Sequence, residues 1–520
     1  MEMDILIRRY YKVVITISAI FFVIIIFLYL YNFSDIMLIN KPKDLVAKER
    51  IAMTAATETA HSYSMKYFDD FLAIPYTDNN HIVYILSDNM DLSYLATNIA
   101  SYGYLTILVD ISEIEDFTDF FKTHVKTLST AFSSTDTIYQ DFLLDKGDIS
   151  KVSIIGIGDS GRCAYELSLS PLDSSLVNVV STLVVAPNLQ NISSKVPSTP
   201  VGIVLSQYDG VVKSLNGQSI FDNHMLKNSD IIHPISCIYL MGSNHSYFDA
   251  SYAADDAFNI DSVVDPPNGV EIERLSDESQ QDFLSKYAVD FLNYYHHGQI
   301  ETNIGLDIED ISPSSLYGYD VLSSLIIPDS LAIVTPTDYF STKYNNLGGE
   351  IYMSNASISY MVENYMAPYD TAIGFLHPGI FNDISLLNIS WRVDSGLFVT
   401  EIPKSYADFT EYKALSMWIS ANPYNVAQNE TQPFIVTLKD SSGKVEHILL
   451  DEDILALKVP TGVLVTNSYQ IQWSTFTPLS NIRIPLDLFT KVNLENIESI
   501  SFNFNQTDQG SIILGDIRLL

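Results

Sequence analysis

The sequence predicts an α/β domain with a mostly parallel sheet, then an all-β jelly-roll sandwich, and one N-terminal transmembrane helix. Three observations support this fold class. Short apolar runs alternate with helical segments from about residue 81 to residue 297, apolar and polar residues alternate with period two after residue 348, and residues 13–31 carry no charge. Parallel strands buried on both faces form continuous apolar runs, whereas half-buried antiparallel strands alternate.

The N-terminal apolar stretch predicts a membrane anchor. Residues 13–31 reach close to the ~30 Å of a bilayer core and exceed the ~7–15 residues of a signal-peptide core. No A-x-A-like cleavage site follows, and Arg8, Arg9 and Lys12 come before the stretch. Basic residues favour the cytoplasmic side. We therefore expect residues 1–12 in the cytoplasm, residues 32–60 as a stalk, and a single-pass protein of the cell membrane with most of its chain extracytoplasmic.

Composition argues against a nucleic-acid ligand, a disulfide framework and a metal site made of cysteine or histidine. The 520 residues carry a formal net charge of −35, which argues against nucleic acid as a ligand. Two cysteines, Cys163 and Cys237, make no disulfide framework, and the ten histidines show no metal-ligand spacing. The spacing of these cysteines and histidines therefore predicts no metal site.

The α/β domain is expected over residues 61–300. Ser276 is a suitable N-cap for a closing helix with apolar residues at helical spacing. Residues 301–348 contain "SPSS", "IPDS" and "TPTD" without a clear period and are predicted to be a linker, and residues 349–520 are predicted to form the jelly roll. The predicted parallel strands are 81–86, 105–111, 152–158, 181–187, 201–207 and 235–242.

The segment "SIIGIGDSGRCAYELS" (153–168) passes from an apolar run through three glycines into a helical stretch. A sharp strand-to-helix turn of this kind presents a nucleophile. If Ser160 is that nucleophile, Arg162 takes a place that needs a small residue. If the motif is instead aligned two residues earlier, Gly156, Ser160 and Gly161 occupy the positions that need small residues, and Gly158 stands at the tip of the turn. Asp159 is a third candidate, which would leave Ile157 at a small place.

Two further residues follow strands in the order that a hydrolytic triad requires. Asp209 comes just after 201–207, in an Asp-Gly turn, and His245 comes just after 235–242. In this hypothesis Ser160 attacks an acyl carbon, His245 takes its proton and Asp209 orients the imidazole. The Gly161 N–H and the loop beginning at Ser87 would supply the oxyanion donors.

These motifs resemble the α/β-hydrolase superfamily, in particular its secreted bacterial dienelactone-hydrolase-like, cutinase-like and chlorophyllase-like branch. The similarity covers about residues 60–300 and is clearest in "NIASYGYLTILVDI", "GSNHSYF" and "ERLSDESQQDFLSKYAVDFLNYY". It implies an α/β-hydrolase fold and a carboxylic-ester substrate. Relatives commonly carry a His-Gly pair where this chain has Leu86–Asn89. Asp88 in that loop places negative charge near a developing oxyanion.

The C-terminal region is similar to galactose-binding-like or carbohydrate-binding jelly rolls, and "SIILGDIRLL" (511–520) matches their last strand. The resemblance implies a cell-surface glycan as partner and a structural calcium ion near Asp516; no other cofactor is expected. Three hypotheses follow: an ester hydrolase, a catalytically degenerate hydrolase that binds or scaffolds at the cell surface, or a protein that binds glycan or protein through its jelly roll.

Overall fold

A computed structural model describes most of the chain beyond the N-terminal segment. The described residues are 43–44, 62–67, 70–139, 141–170, 172–189, 195–212, 216–226, 231–252, 254–256, 274–298, 302–362, 385–422, 430–459 and 478–520. The predicted anchor at 13–31 lies outside them. No helix in the described part of the chain is long and apolar enough to cross a bilayer.

The first region of the molecule is a ten-stranded mixed sheet. Its order is β10-β11-β9-β8-β7-β6-β4-β5-β3-β2, where the strands are β2 (Tyr63–Tyr67), β3 (Phe71–Pro75), β4 (Asn80–Ser87), β5 (Leu105–Asp110), β6 (Gly147–Ile157), β7 (Val179–Val185), β8 (Val201–Ser206), β9 (Ile235–Leu240), β10 (Ser315–Leu316) and β11 (Tyr319–Ile326). Neighbours from β5 to β9 are parallel, and the remaining pairs at both edges are antiparallel. Each of the six strands predicted between residues 81 and 242 is present.

Five α-helices are described: α1 (Ser93–Ser101), α2 (Phe117–Ala131), α3 (Asp159–Ser168), α4 (Gln218–Leu226) and α5 (Asp277–His297). Ser276 caps α5 as predicted, because its side chain accepts the Ser279 N–H. Gly298 ends this helix in the left-handed conformation, which glycine adopts without steric cost.

The second region consists of two six-stranded sheets. One has the order β1-β19-β18-β21-β16-β13 and the other β14-β15-β22-β17-β20, with β12 also paired to β22. These strands are β1 (Lys43–Asp44), β12 (Leu331–Val334), β13 (Ile351–Ser354), β14 (Ala356–Val362), β15 (Ser385–Trp391), β16 (Gly396–Glu401), β17 (Ala414–Ala421), β18 (Phe434–Asp440), β19 (Val445–Leu450), β20 (Ser480–Pro485), β21 (Ile497–Phe504) and β22 (Gly510–Leu519). All neighbours are antiparallel except β1 and β19.

The predicted fold class, an α/β-hydrolase fold with a mostly parallel sheet followed by a jelly roll, is wrong; the transmembrane helix predicted at residues 13–31 lies outside the described residues. The described chain is mostly β, with twenty-two strands against five α-helices, large antiparallel sheets and no apolar transmembrane helix. Apolar runs report that a strand is buried, but they do not report how much helix lies between strands or which way edge strands run.

The two regions share a buried contact. The segment 301–348, predicted to be a linker, supplies β11 to the ten-stranded sheet and β12 to one sandwich sheet. The Leu325 N–H donates to Asn481 Oδ1 at 2.7 Å, and the rings of Phe221 and Trp418 lie 5.9 Å apart. This packing continues one hydrophobic core from the mixed sheet into the sandwich.

Candidate functional site

The turn between β6 and α3 has a glycine at its tip. Gly158 has φ +63° and ψ −124°, in the left-handed half of the backbone map that favours glycine. Its N–H donates to the Val185 carbonyl at 2.9 Å, and its carbonyl accepts the N–H groups of Gly161 (3.1 Å) and Asn188 (3.0 Å). Hydrogen bonds from β7 and α3 therefore hold the tip in one conformation.

Strand and helix approach each other closely beside this turn. A Cβ atom added to Gly156 would lie 2.4 Å from the Ser160 carbonyl oxygen, and one added to Gly161 would lie 3.1 Å from the Gly156 carbonyl oxygen. Only small residues fit at these places. Gly156, Ser160 and Gly161 fill them, which is the register that puts Gly158 at the tip.

Ser160 is fully buried inside this contact. Its Oγ accepts the Ile157 N–H at 2.9 Å and lies 2.7 Å from the Leu86 carbonyl and 2.8 Å from the Ile157 carbonyl, either of which its hydroxyl proton reaches. The hydroxyl therefore ties β4, β6 and α3 together. Within the described residues, no hydrogen bond joins Ser160 to His245.

Asp209 and His245 do meet. Asp209 Oδ2 lies 3.0 Å from His245 Nδ1, and Asp209 Oδ1 accepts the N–H groups of Val211 and Val212. Burial by itself lowers the pKa of His245. The Asp209 carboxylate, with smaller contributions from Asp256 and Asp159, outweighs burial and raises the pKa above its usual value. The two residues form a dyad with the geometry of a base and its orienting acid.

The group that faces this dyad is the tip of the turn. A Cβ atom added to Gly158 would lie 3.1 Å from His245 Nε2 and 3.4 Å from His245 Cε1. A serine side chain at residue 158 would thus begin within contact of the imidazole, on the side away from Asp209. The chain has no side chain there.

The remaining predicted site residues serve other contacts. Asp159 Oδ1 accepts a hydrogen bond from Asn188 Nδ2 at 3.0 Å, and the predicted oxyanion donor Gly161 N–H is bonded to the Gly158 carbonyl. Ser87 is buried at the end of β4, and its carbonyl accepts the Ile111 N–H at 2.8 Å.

The loop after Ser87 is acidic. Burial, and then the charges of Asp159 and Asp110, raise the pKa of Asp88. Negative charge therefore collects beside the tip, where a developing oxyanion would need positive charge or N–H donors.

Asp256 is a site residue that the sequence analysis missed. Its carboxylate accepts the Gly210 N–H at 2.7 Å and the Ser246 N–H at 2.8 Å, so it ties the loop of Asp209 to the loop of His245. Burial raises its pKa most, although the two N–H bonds act in the opposite direction. No local motif marks this residue, because its role depends on two loops that are distant in sequence.

Asp516 and two of the tryptophans lie in the core of the sandwich. Asp516 is bonded to Arg518 through both carboxylate oxygens, at 2.5 and 2.8 Å, and Thr335 Oγ1 donates to it at 2.7 Å. Trp391 stacks on Phe504 with the rings 4.2 Å apart, and Trp418 is buried; Trp473 lies outside the described residues. The described residues contain no group of three or more His, Cys, Asp or Glu side chains arranged to hold a metal ion.

Comparison with known proteins adds no relative to this geometry. No protein-family model matches the chain, and no curated protein matches it.

Proposed function

We propose that this protein is a catalytically degenerate serine hydrolase that binds a ligand or partner instead of hydrolysing an ester. The single observation that supports the proposal is the pairing at the turn: Gly158 faces His245, whereas the Ser160 hydroxyl is engaged with the backbone. The protein keeps a base and an orienting acid, but the turn that faces them presents a glycine where a nucleophile would stand.

Hydrolysis through Ser160 would require a large rearrangement. The hydroxyl would have to leave its bonds to Ile157 and Leu86 and pass out of a contact that admits only small groups. Each buried polar group left without a partner costs about 1–3 kcal/mol. The carboxylates of Asp88 and Asp159 would further oppose negative charge at the tip.

The proposal includes the location predicted from the sequence. An anchor at residues 13–31 would place the dyad outside the cell, on a protein whose strong negative charge favours solubility. An ester or a cell-surface glycan that reaches this side of the membrane is then accessible to it.

A fluorophosphonate probe tests the proposal, because it labels a serine only when a neighbouring base activates it. The full-length wild-type chain is expected to remain unlabelled. Gly158→Ser should gain labelling, since its hydroxyl begins beside His245 Nε2, and Gly158→Ser combined with His245→Ala should lose it. Gly158→Ala is the matched control, because it adds the Cβ atom and the backbone strain without a hydroxyl.

Labelling of the wild-type chain that disappears in Ser160→Ala would overturn the proposal in favour of an ester hydrolase. Because Ser160→Ala also removes buried hydrogen bonds, its thermal unfolding must be recorded beside the labelling. Loss of label counts only for protein that retains a cooperative transition.

A further inference from the structure

A groove crosses the outward face of the sandwich sheet β1-β19-β18-β21-β16-β13. It has a volume of about 80 Å³. Backbone pairing sets its cross-section: the row His447, Thr437, Ser501, Val399, Tyr352 runs across five neighbouring strands, each residue opposite the next. The groove is therefore built by regular strands and not by loops.

The depth of the groove follows from side-chain size. The central strand β21 contributes Ser499 and Ser501, which are short and half-buried. Tyr352 and Glu401 rise on one side, and Lys439 and His447 on the other. Neighbouring strands lie about 4.8 Å apart, so Glu401 on β16 and Lys439 on β18 stand roughly 10 Å from each other across β21, which is wide enough for one extended chain or one long side chain.

One wall combines an exposed aromatic ring with negative charge. Tyr352 is 48 % exposed, and burial of its hydroxyl, followed by the charges of Glu401 and Glu498, raises the pKa of Tyr352. Glu498 is paired with Lys439 at 3.2 Å. Among the residues that the structure describes, no cation lies within ion-pair distance of Glu401.

Among the lining residues of the opposite wall, Lys439 carries the positive charge at neutral pH, and His447 adds none. Burial, and then the charge of Lys491, lower the pKa of His447, so its imidazole is neutral. His447 Nδ1 lies 2.7 Å from Thr437 Oγ1, which also accepts a hydrogen bond from Asn503 at 2.9 Å. These groups satisfy one another. Among the lining residues, two carboxylates face one ammonium group, so the lining carries a net negative charge.

From this arrangement we infer that the groove is a docking site for an arginine or lysine side chain on an extended segment of a partner protein. The cation lies against the Tyr352 ring beside the Glu401 carboxylate, where an aromatic face and an unpaired carboxylate both attract it. The aliphatic stem lies over Leu397 and Val399, the apolar part of the lining. The chain's formal charge of −35 adds long-range attraction for a basic partner.

Calorimetric titration of the full-length chain in mild detergent tests this inference. The probe is the peptide acetyl-Gly-Arg-Gly-amide, and its matched control is acetyl-Gly-citrulline-Gly-amide, which has the same shape without the charge. The arginine peptide is expected to bind, the citrulline peptide to bind at least about threefold more weakly, and binding to weaken in high salt.

Variants locate the site. Glu401→Gln and Tyr352→Leu should each weaken binding of the arginine peptide at least about threefold. Asp508→Asn, which removes an exposed charge in the β21–β22 turn, should leave it unchanged. Glu401 and Tyr352 are exposed, so unfolding temperatures close to wild type should accompany both results.

Equal binding of the two peptides, no binding of either, or an unchanged affinity in Glu401→Gln would each overturn the inference. Binding of galactose that is lost in Tyr352→Leu, without binding of the arginine peptide, would overturn it in favour of a saccharide. The inference is independent of the proposed function, since fluorophosphonate labelling reports only on the turn at Gly158.

Discussion

The two polar sites of this molecule are built in opposite ways. The dyad lies where strands β8 and β9 of the mixed sheet end, and its carboxylate, imidazole and backbone N–H groups are nearly all bonded to one another. The groove lies in the middle of a sandwich sheet, and Glu401 there has no cationic partner among the described residues. Loops at strand ends can bring together residues from distant parts of the chain, whereas a sheet face presents whatever its alternating side chains supply.

This comparison separates chemistry from recognition. A closed set of hydrogen bonds fixes the geometry of an acid and a base, but it leaves little charge to attract a ligand. An open sheet face attracts a ligand yet positions no reacting group. If the two regions are built in this way, substitutions at buried contacts should destabilise the fold strongly, and substitutions in the open groove should hardly affect it.

The largest effect is expected at the buried ion pair of the sandwich. Asp516→Asn would leave the Arg518 guanidinium buried without its counter-charge, which costs about 3–5 kcal/mol. Urea unfolding of the variant should show a much lower midpoint than wild type. Asp508→Asn, an exposed carboxylate, is the control and should stay within about 0.5 kcal/mol. Equal stability of the two variants would show that the pair is not a main support of the sandwich.

The next effect is expected at the glycine contact of the mixed sheet. Gly156→Ala would place a Cβ atom 2.4 Å from the Ser160 carbonyl, so strand and helix must separate, at a cost of about 2–3 kcal/mol. Gly443 in the β18–β19 hairpin makes a useful contrast. It has φ +85° but open space around it, so Gly443→Ala should cost only about 1 kcal/mol. A larger loss at Gly443 than at Gly156 would contradict the close approach.

A pH effect is expected where α5 meets β6. His296 Nε2 lies 2.8 Å from Ser153 Oγ, and burial, followed by the neighbouring histidines, lowers the pKa of His296 to about 3. Below pH 6.5 the unfolded chain takes up a proton that the folded chain refuses, so this residue's contribution to stability is lost as the pH falls from 6.5 toward 3. Between pH 6.5 and 5 the loss is about 2 kcal/mol.

The free energy of unfolding is measured as a function of pH between 6.5 and 5 for wild type and for His296→Gln, and the slopes of the two curves are compared. The absolute stabilities are not compared, because the substitution also changes the bond to Ser153. Parallel curves for the two proteins would show that the imidazole is protonated as easily in the folded chain as in the unfolded one.

The smallest effect is expected at the groove. Lys439 and Glu498 are both more than one-third exposed, so their ion pair contributes little to folding. Lys439→Met should change stability by less than about 1 kcal/mol in thermal unfolding, although it makes the groove more negative. A loss comparable to that of Asp516→Asn would mean that the groove is structural and is not held open for a ligand.

The sequence predicts local features of this molecule better than its overall class. The six apolar runs and the Ser276 cap depend on neighbours in the chain, and the structure contains all of them. The fold class was wrong because it depends on how much helix fills the connections and on the direction of edge strands. Neither quantity is encoded in the period of an apolar run.

The candidate sites show the same division. Spacing around Gly156 and Ser160 already favoured a glycine at the tip, since a close approach of backbones demands small residues at fixed intervals. Asp256 and the groove gave no such signal. Asp256 acts on two separate loops, and the groove residues stand one to three to a strand on five strands, so only the folded sheet brings them together.

The turn at Gly158 also has a genetic consequence. The glycine codons GGT and GGC differ by one base from the serine codons AGT and AGC, and Asp209 and Asp256 already hold His245 in place. From either of these codons, one nucleotide substitution at residue 158 would place a hydroxyl beside the imidazole. For a gene with such a codon, selection on an ester as the sole carbon source would reveal whether this single step is enough for hydrolysis.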